Sequence, residues 1–310
     1  MKKRRFLVSL NTEQNDYQTE SARIAEETAQ RLDVDVQIIF AENDEITQSQ
    51  QLLTVIQSPA DARPDGIIVL PVGTALPEVA AAATSAGIGW ALLNREVDYL
   101  AQLRPTCRVP VFTVGVAQEE VGRIQAQQFA ALLPEGGMML YILGPRGNSA
   151  VMQRTTGMYF NKPRNLEVKT LGGRWTEESG YDAVMSWLRL PASRETPIAL
   201  IGSQNDYMAM GARRAFESSM SGAERERWCS LPFTGVDAVL GTGQEWVREG
   251  LLAASVALPI TTGIALELFV SALQSGIKPP ENTPAVPVPF PAIEKLVPVR
   301  TQVPRTRTRS

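Results

Sequence analysis

The sequence predicts an α/β protein made of two Rossmann-like lobes, each built on a doubly wound parallel sheet. Along most of the chain, short apolar runs alternate with amphipathic stretches, the pattern of βαβ units with right-handed crossovers. The pattern restarts after an apolar run at Val109–Val114. The length of 310 residues suits two domains of ordinary size.

The first series of elements ends near Val114. Its apolar runs have the length of strands and lie at Phe6–Leu10, Val34–Phe40, Gly66–Pro71 and Ile88–Leu93. The run at Gly66–Pro71 is continuously apolar, as in strands that are covered on both faces of a parallel sheet. Between the runs, apolar residues recur at steps of three and four, which predicts helices at Tyr17–Leu32, Ile46–Ile56 and Leu76–Ala86.

The second series begins with a predicted helix at Glu119–Leu133. Its predicted strands are Met138–Leu143, Leu166–Leu171, Pro197–Ile201, Pro232–Val236 and Leu252–Ala257. If the next helix, Thr262–Gln274, returns to the first lobe, the chain crosses between the lobes three times. The predicted domains are therefore residues 1–114 with 258–286, and 115–257 with 287–300, joined by a three-segment hinge.

Proline dominates the C-terminal end, where eight of the 21 prolines lie between Pro279 and Pro304. Proline at this density excludes a helix and confines strands to short edges. Residues 301–310 contain three arginines and no acidic residue. We expect a disordered basic tail there. The alternative is a docking tail for an acidic partner.

Composition excludes several classes of function. The chain has no histidine and two cysteines, which removes catalytic triads, His-ligated metals and Cys-rich zinc sites. No G-x-x-x-x-G-K-[ST] motif occurs, and Gly241-Thr242-Gly243 lacks the third glycine of a dinucleotide fingerprint. The formal net charge of -3 argues against nucleic acid as a partner. We therefore expect no metal, no cofactor and no nucleic acid.

The N-terminus has the basic residues of an export signal without its apolar core. Only Phe6–Leu10 follows Met1–Arg5, whereas an apolar signal segment needs roughly 7–15 residues. No stretch reaches the length of about 20 apolar residues that spans a bilayer. As written, the sequence predicts a cytoplasmic protein without membrane insertion, and a periplasmic one if a leader has been removed.

Polar and aromatic residues follow the C-terminal ends of successive predicted strands, the edge where open α/β sheets bind ligands. Singly, an Asn or Asp at such a place is more often a helix cap or turn residue, and a Trp is more often core. Together they predict a pocket of hydrogen-bonding groups and ring faces that suits a sugar. The candidates are Asn15, Tyr17, Gln18, Asn94, Arg95, Arg154, Trp175, Asn205 and Asp237.

Four motifs resemble one family of proteins. The segment Ser203–Ala212 resembles A-x-N-D-x-M-A-x-G-A, and Thr234–Asp237 resembles V-G-x-D. Arg154–Gly157 resembles R-x-x-G, and Asn94-Arg95 resembles a sugar-clamping D-R pair. The set is similar to ribose-type periplasmic sugar-binding proteins and to lactose-repressor-type effector domains without their DNA-binding headpiece. The resemblance runs from residue 5 to about 298 and implies a type I periplasmic binding protein fold that closes around its ligand like a hinged clam.

The resemblance also implies roles for the candidates. Sugar hydroxyls would bond to Asn15, Arg95, Arg154, Asn205 and Asp237. Tyr17 and Trp175 would stack on the ring, and Gln18 replaces a second aromatic residue. Asn94 stands where the family usually has Asp, and Leu70, Ala257 and Ala117-Gln118 are further departures. These departures predict a site somewhat less polar than a ribose site.

The predicted function is therefore non-catalytic binding of a small carbohydrate or polyol in the cleft between the lobes. The protein would be the substrate-binding component of an ABC-type sugar transporter, with a permease as partner. The alternative is a cytoplasmic sugar-sensing module whose lobe closure is recognised by a signalling partner. An enzyme that uses Asp206 and Asp237 as a carboxylate pair is disfavoured, because the family uses these positions for hydrogen bonding.

Overall fold

A computed structural model describes residues 3–73, 76–95 and 97–298 of the chain. These residues form two compact α/β units. The first contains residues 3–117 and 258–287, and the second contains residues 118–257 and 288–298. The chain passes from one unit to the other at three places, after Ala117, Ala257 and Pro287. The predicted basic tail, 301–310, lies outside the described residues.

The strands are numbered in chain order. They are β1 Arg5–Leu10, β2 Asp35–Phe40, β3 Gly66–Val69, β4 Gly89–Leu93, β5 Val111–Val116, β6 Gly137–Leu143, β7 Leu166–Gly172, β8 Ile198–Ser203, β9 Phe233–Thr234, β10 Ser255–Ala257, β11 Asn282–Ala285 and β12 Val288–Phe290. The helices are α1 Asp16–Leu32, α2 Glu45–Ile56, α3 Pro77–Ser85, α4 Tyr99–Leu103, α5 Gln118–Leu132, α6 Ser149–Asn161, α7 Glu177–Leu188, α8 Ala192–Glu195, α9 Asp206–Ser219, α10 Gly222–Cys229, α11 Gly243–Arg248 and α12 Thr261–Ser275.

The first unit contains a six-stranded sheet in the order β11-β5-β4-β3-β1-β2, with every neighbouring pair parallel. Strand β3 is buried throughout, and alternate residues of it pack into separate cores on the two faces of the sheet. On one face, Phe269 of α12 packs against the rings of Phe6 and Phe112, with centroids 5.6 and 4.8 Å away. A Cβ at Gly89 would lie 2.5 Å from Phe269, so this glycine lets the ring approach the sheet.

The second unit contains a four-stranded parallel sheet in the order β7-β6-β8-β9. Helices α5 and α6 flank it with a core around Phe129, Tyr141 and Met158. Helices α7 and α9 contribute to a separate core that contains Trp187 and Phe216. The sequence-based prediction of parallel sheets flanked by helices is confirmed in both units.

The proline-rich end forms short strands, as predicted. Strand β11 contains Pro284 and lies at the outer edge of the first sheet, beside β5. Strand β12 contains Pro289 and pairs antiparallel with β10. A proline cannot donate a ladder hydrogen bond, which is why these segments occupy edges. None of the described helices combines the length and apolar character that crossing a bilayer requires.

Candidate ligand-binding site

Two candidate residues of the first unit hold the start of α1. Asn15 is the N-cap, and its side-chain oxygen accepts the Gln18 N–H at 3.3 Å. The Gln18 Oε1 atom in turn accepts the Asn11 N–H at 3.1 Å. Both side chains are buried. Asn15 therefore has the capping role that an Asn after a strand commonly has, and any contact of these two residues with a ligand remains a prediction.

Asn94 is the centre of a hydrogen-bond relay in the first unit. Its Nδ2 donates to the Tyr17 hydroxyl at 3.1 Å, and that hydroxyl donates to the Pro259 carbonyl at 3.0 Å. The Asn94 Oδ1 atom accepts the Val116 N–H at 3.3 Å. The relay ties the end of β4 to the end of β5 and to the segment before α12. A carboxylate at position 94 could not make the donation to Tyr17, so the departure from the family's Asp has a structural consequence.

The surroundings of Tyr17 and Arg95 limit what each can do. The Tyr17 ring is buried, with 6% of the residue exposed, so the structure leaves little of this ring for stacking on a sugar. Arg95 is half-buried, and its Nη1 donates to the Asn94 carbonyl at 3.0 Å. Asn94 has a φ of 54°, a left-handed conformation that Asn tolerates better than most residues. The structure thus brings Tyr17, Asn94 and Arg95 together at the ends of β4 and β5.

Arg154 lies at the centre of a polar cluster in the second unit. Only 6% of the residue is exposed. Its Nε donates to Gln118 Oε1 at 2.7 Å, and its Nη1 donates to the Gln204 carbonyl at 2.5 Å. The guanidinium carbon lies 5.5 Å from the centre of the Trp175 ring, within the range of a cation–π interaction.

Close packing of α6 on α5 brings Arg154 within reach of Gln118. A Cβ at Gly157 would lie 2.0 Å from the Glu119 carbonyl oxygen. A Cβ at Gly122 would lie 2.0 Å from the Arg154 carbonyl oxygen. Glycine at both positions therefore allows the two backbones to touch. The Gly of the R-x-x-G motif has a packing role, and it places the Arg of the same motif.

Asn205 connects the cluster to Trp175. It is the N-cap of α9, with its Oδ1 accepting the Met208 N–H at 2.9 Å, and its Nδ2 donates to the Trp175 carbonyl at 2.8 Å. Trp175 is half-buried and has a φ of 69°. A Cβ at Gly144 would lie 2.3 Å from the indole, so this glycine gives the ring its space. Arg154, Trp175 and Asn205 therefore form one network at the carboxyl ends of the strands.

Asp237 lies in the turn after β9 and is 7% exposed. Its N–H donates to the Val256 carbonyl at 2.9 Å, and a backbone bridge pairs it with Ala257. The neighbouring carboxylate, Asp206, is fully buried. Its two oxygens accept the Ala238 N–H at 2.7 Å and the Ser255 hydroxyl at 2.6 Å. Asp206 thus serves as an acceptor inside the protein, which argues against its use as one half of a catalytic carboxylate pair.

Gln118 and Gln204 also belong to the cluster, although the sequence does not predict them as site residues. Gln118 stood out only as a departure from a family pattern, and Gln204 only as a neighbour of Asn205. Gln204 is fully buried, accepts the Gly144 N–H at 3.0 Å and donates to Thr155 Oγ1 at 3.0 Å. No local pattern distinguishes such a glutamine from an exposed one, because its partners come from other elements of the fold.

A groove of about 660 Å³ lies beside β7 and α7. Its walls include Lys169, Arg174, Asp182 and Leu190. None of the nine predicted site residues is among the residues that line it. The polar groups predicted from the sequence lie instead in the hydrogen-bonded clusters around Asn94 and Arg154.

Residues 6–261 match the family model described as a periplasmic binding protein domain. The chain belongs to this family. The match confirms the family resemblance and, with the parallel sheets and flanking helices, the type I periplasmic binding protein fold. Members of this family are binding proteins. No curated protein matches the chain.

Solved structures of similar fold cover nearly the whole chain. An ABC transporter periplasmic solute-binding protein of Actinobacillus succinogenes with bound D-allose is 22% identical, with a TM-score of 0.77 over 93% of this chain and 97% of that one. The Caulobacter myo-inositol binding protein with bound myo-inositol is 22% identical, with a TM-score of 0.76 over 92% of each chain. A fructose-binding periplasmic domain of a hybrid two-component system is 21% identical, with a TM-score of 0.75 over 92% of this chain and 90% of that one. At these identities the likeness establishes the fold.

Proposed function

We propose that the protein binds a small carbohydrate or polyol without changing it chemically. The observation that carries the proposal is the network of Arg154, Trp175 and Asn205 in the second unit. It combines a fork of donors, an aromatic face and an amide, which are the groups that hold the hydroxyls and the apolar face of a sugar ring. Asp237 would add a charged acceptor for a hydroxyl.

The first unit would contribute hydrogen bonds through Asn15, Gln18, Asn94 and Arg95. We propose that Tyr17 contributes by orienting Asn94 through the bond between Asn94 Nδ2 and the Tyr17 hydroxyl. The neutral Asn94 amide offers a weaker acceptor than a carboxylate would. A ligand with fewer hydroxyl donors on this side, such as a deoxy sugar, suits this set.

We propose that the protein acts as the substrate-binding component of an ABC-type sugar transporter. Membership of the periplasmic binding protein family supports this role, and so does the likeness to ABC transporter solute-binding proteins. The role requires a periplasmic location and a permease partner. Cell fractionation tests the location, and copurification with a permease encoded beside the gene tests the partner.

A thermal-shift screen of D-allose, myo-inositol, D-fructose and D-ribose tests the binding function. A ligand that binds only the folded protein stabilises it by about 2.7 kcal/mol at 100 times its Kd. At least one compound should therefore raise the Tm by several degrees, and isothermal calorimetry should give a matching Kd. The absence of any shift with a wider set of deoxy sugars and polyols would contradict the proposed function.

We also propose that groups from both units hold the same ligand, and that binding closes the protein around it. A ligand with more contacts in a closed state shifts the population toward that state. Small-angle scattering should show a smaller radius of gyration with saturating ligand than without it. An unchanged radius would contradict closure, while calorimetry would still report on binding.

A second candidate function is sugar sensing. The similar fold of a fructose-binding domain from a hybrid two-component system favours it as the alternative. A sensor needs a signalling partner that recognises the ligand-bound form, whereas a transport component needs a permease. Genes for a permease and an ATPase beside this gene would support transport, and a kinase or regulator gene in their place would support sensing.

A further inference from the structure

The turn that carries Asp237 has an unusual backbone. Asp237 and Ala238 follow one another with φ values of 111° and 43°. This left-handed region favours glycine, and two consecutive residues with side chains adopt it only when their surroundings hold them there. The turn also sets the direction of the Asp237 side chain.

The carboxylate of Asp206 makes the contact that holds this turn. Its Oδ2 accepts the Ala238 N–H at 2.7 Å, and its Oδ1 accepts the Ser255 hydroxyl of β10 at 2.6 Å. The Asp206 N–H donates to the Val236 carbonyl at 2.8 Å, just before the turn. A charged acceptor makes a stronger hydrogen bond than a neutral one. Asp206 therefore fixes the turn on both sides of Asp237.

Two glycines make room for this carboxylate. A Cβ at Gly235 would lie 2.0 Å from Asp206 Oδ1, and a Cβ at Gly243 would lie 2.1 Å from Asp206 Oδ2. Any larger residue at either position would displace the carboxylate from the Ala238 N–H. The chain thus surrounds Asp206 with small residues on two sides and with donors from the turn and from β10.

We infer that Asp206 is a positioning residue, which aims the Asp237 carboxylate at the ligand by holding the Asp237–Ala238 turn. The inference rests on the proposed function, because it takes Asp237 as a ligand-binding group. Asp206 itself is fully buried and has both oxygens bonded within the unit, so it acts through Asp237.

The first test needs no ligand. Asp206→Asn keeps the size of the side chain and removes its charge, so the Ala238 N–H loses its charged acceptor. Hydrogen–deuterium exchange of the peptide that contains residues 233–240 should become at least about 10-fold faster. Ser255→Ala is the control, because it leaves the Asp206–Ala238 bond in place, and its exchange should change less than 3-fold. Unchanged exchange in Asp206→Asn would overturn the inference.

The second test is a double-mutant cycle on affinity. The probe is whichever of D-allose, myo-inositol and D-fructose binds the wild-type protein most tightly by calorimetry. Asp237→Ala should weaken binding at least 10-fold, and Asp206→Asn should weaken it about 10-fold. In the double variant, Asp206→Asn should add less than 2-fold, because no carboxylate is left to aim. A general structural role would weaken binding by the same factor with and without Asp237.

The outcomes separate the two proposals. If Asp237→Ala leaves the affinity unchanged, the ligand role of Asp237 is wrong, and the proposed function loses that residue. If Asp237→Ala weakens binding and Asp206→Asn does not, the positioning role is wrong. Should Asp206→Asn fail to fold, Asp206→Asn with Ala238→Gly replaces it, since Gly adopts the left-handed conformation without strain. Exchange of residues 233–240 that is no faster in this variant than in Ala238→Gly alone would then overturn the inference.

Discussion

Replacing Arg154 by Met should separate ligand affinity from stability. The Arg154 guanidinium has five N–H bonds. One on Nε donates to Gln118 and one on Nη1 donates to Gln204, so at most three can reach a ligand. Loss of one charged hydrogen bond to a sugar hydroxyl costs about 1.5–3 kcal/mol. We therefore expect affinity to fall by roughly 10- to 100-fold.

The stability of the same variant should change less than the number of lost bonds suggests. The buried acceptors on Gln118 and Gln204 each lose a donor, which costs about 1–3 kcal/mol. Removal of a buried charge recovers a desolvation penalty of several kcal/mol, and the Met side chain fills most of the arginine's volume. We expect the free energy of unfolding to fall by about 1–3 kcal/mol in urea titrations.

Arg213→Met is the matched control in the same unit. Arg213 also donates to a carbonyl, that of Cys229 at 3.1 Å, and lies over an aromatic ring, that of Phe233 at 5.6 Å. It is not among the candidate site residues, so its replacement should leave affinity within about 2-fold of wild type. Calorimetry on both variants measures the two affinities. Equal affinities for the Arg154 and Arg213 variants would refute the placement of the site.

Two further predictions use the aromatic residues. Ligand binding should change the tryptophan fluorescence. Trp175→Ala should remove most of this change, because Trp175 lies in the Arg154 network. If the variant shows the full change, another Trp is the reporter. Burial raises the pKa of Tyr99 to about 12, so the folded protein keeps this proton at pH values where the unfolded chain releases it. The free energy of unfolding should therefore fall as the pH rises from about 10 to 12. Tyr99→Phe should show a smaller fall in the same urea titrations, and an equal fall would contradict the assignment.

The sheets could be predicted from sequence because their signal is local. Continuously apolar runs such as Gly66–Pro71 become buried central strands, and amphipathic spacing marks α1 and α12. Short elements were harder. The run Pro232–Val236 forms only the two-residue strand β9, and no pattern in the sequence predicts the five-residue helix α4. Elements of two to five residues carry too little periodicity to be distinguished from loops.

The site could be predicted as a set of residues but not as a set of contacts. The residues after strand ends were identifiable, because parallel strands place their carboxyl ends at one edge. The relay through Tyr17 and the glutamine contacts of Arg154 join residues far apart in the chain. The left-handed backbone at Trp175 and Asp237 is likewise set by tertiary contacts. Local patterns contain no information on such partners.

Asn94 is the departure from the family pattern whose effect can be measured most directly. Tyr17→Phe removes the hydroxyl that bonds to Pro259 and Asn94, which should lower the free energy of unfolding by about 2–3 kcal/mol. Asn94→Asp replaces the donor that faces Tyr17 by an acceptor. The Tyr17 hydroxyl must then donate to Asp and leave the Pro259 carbonyl without a donor, which should lower the free energy of unfolding by about 1–2 kcal/mol.

Both changes remove the hydrogen bond to the Pro259 carbonyl. Their losses in the free energy of unfolding should therefore not add. In urea titrations the double variant should be less destabilised than the sum of the single variants by about 1 kcal/mol. Asn282→Asp is the control, since Asn282 lies on β11 and accepts from Thr113 Oγ1 at 3.1 Å, an interaction that a carboxylate preserves. Its effect should add to that of Tyr17→Phe. Additive losses for the Tyr17 and Asn94 variants would mean that the two side chains do not share a relay. The relay would then not explain why this chain has Asn at position 94 where the family has Asp.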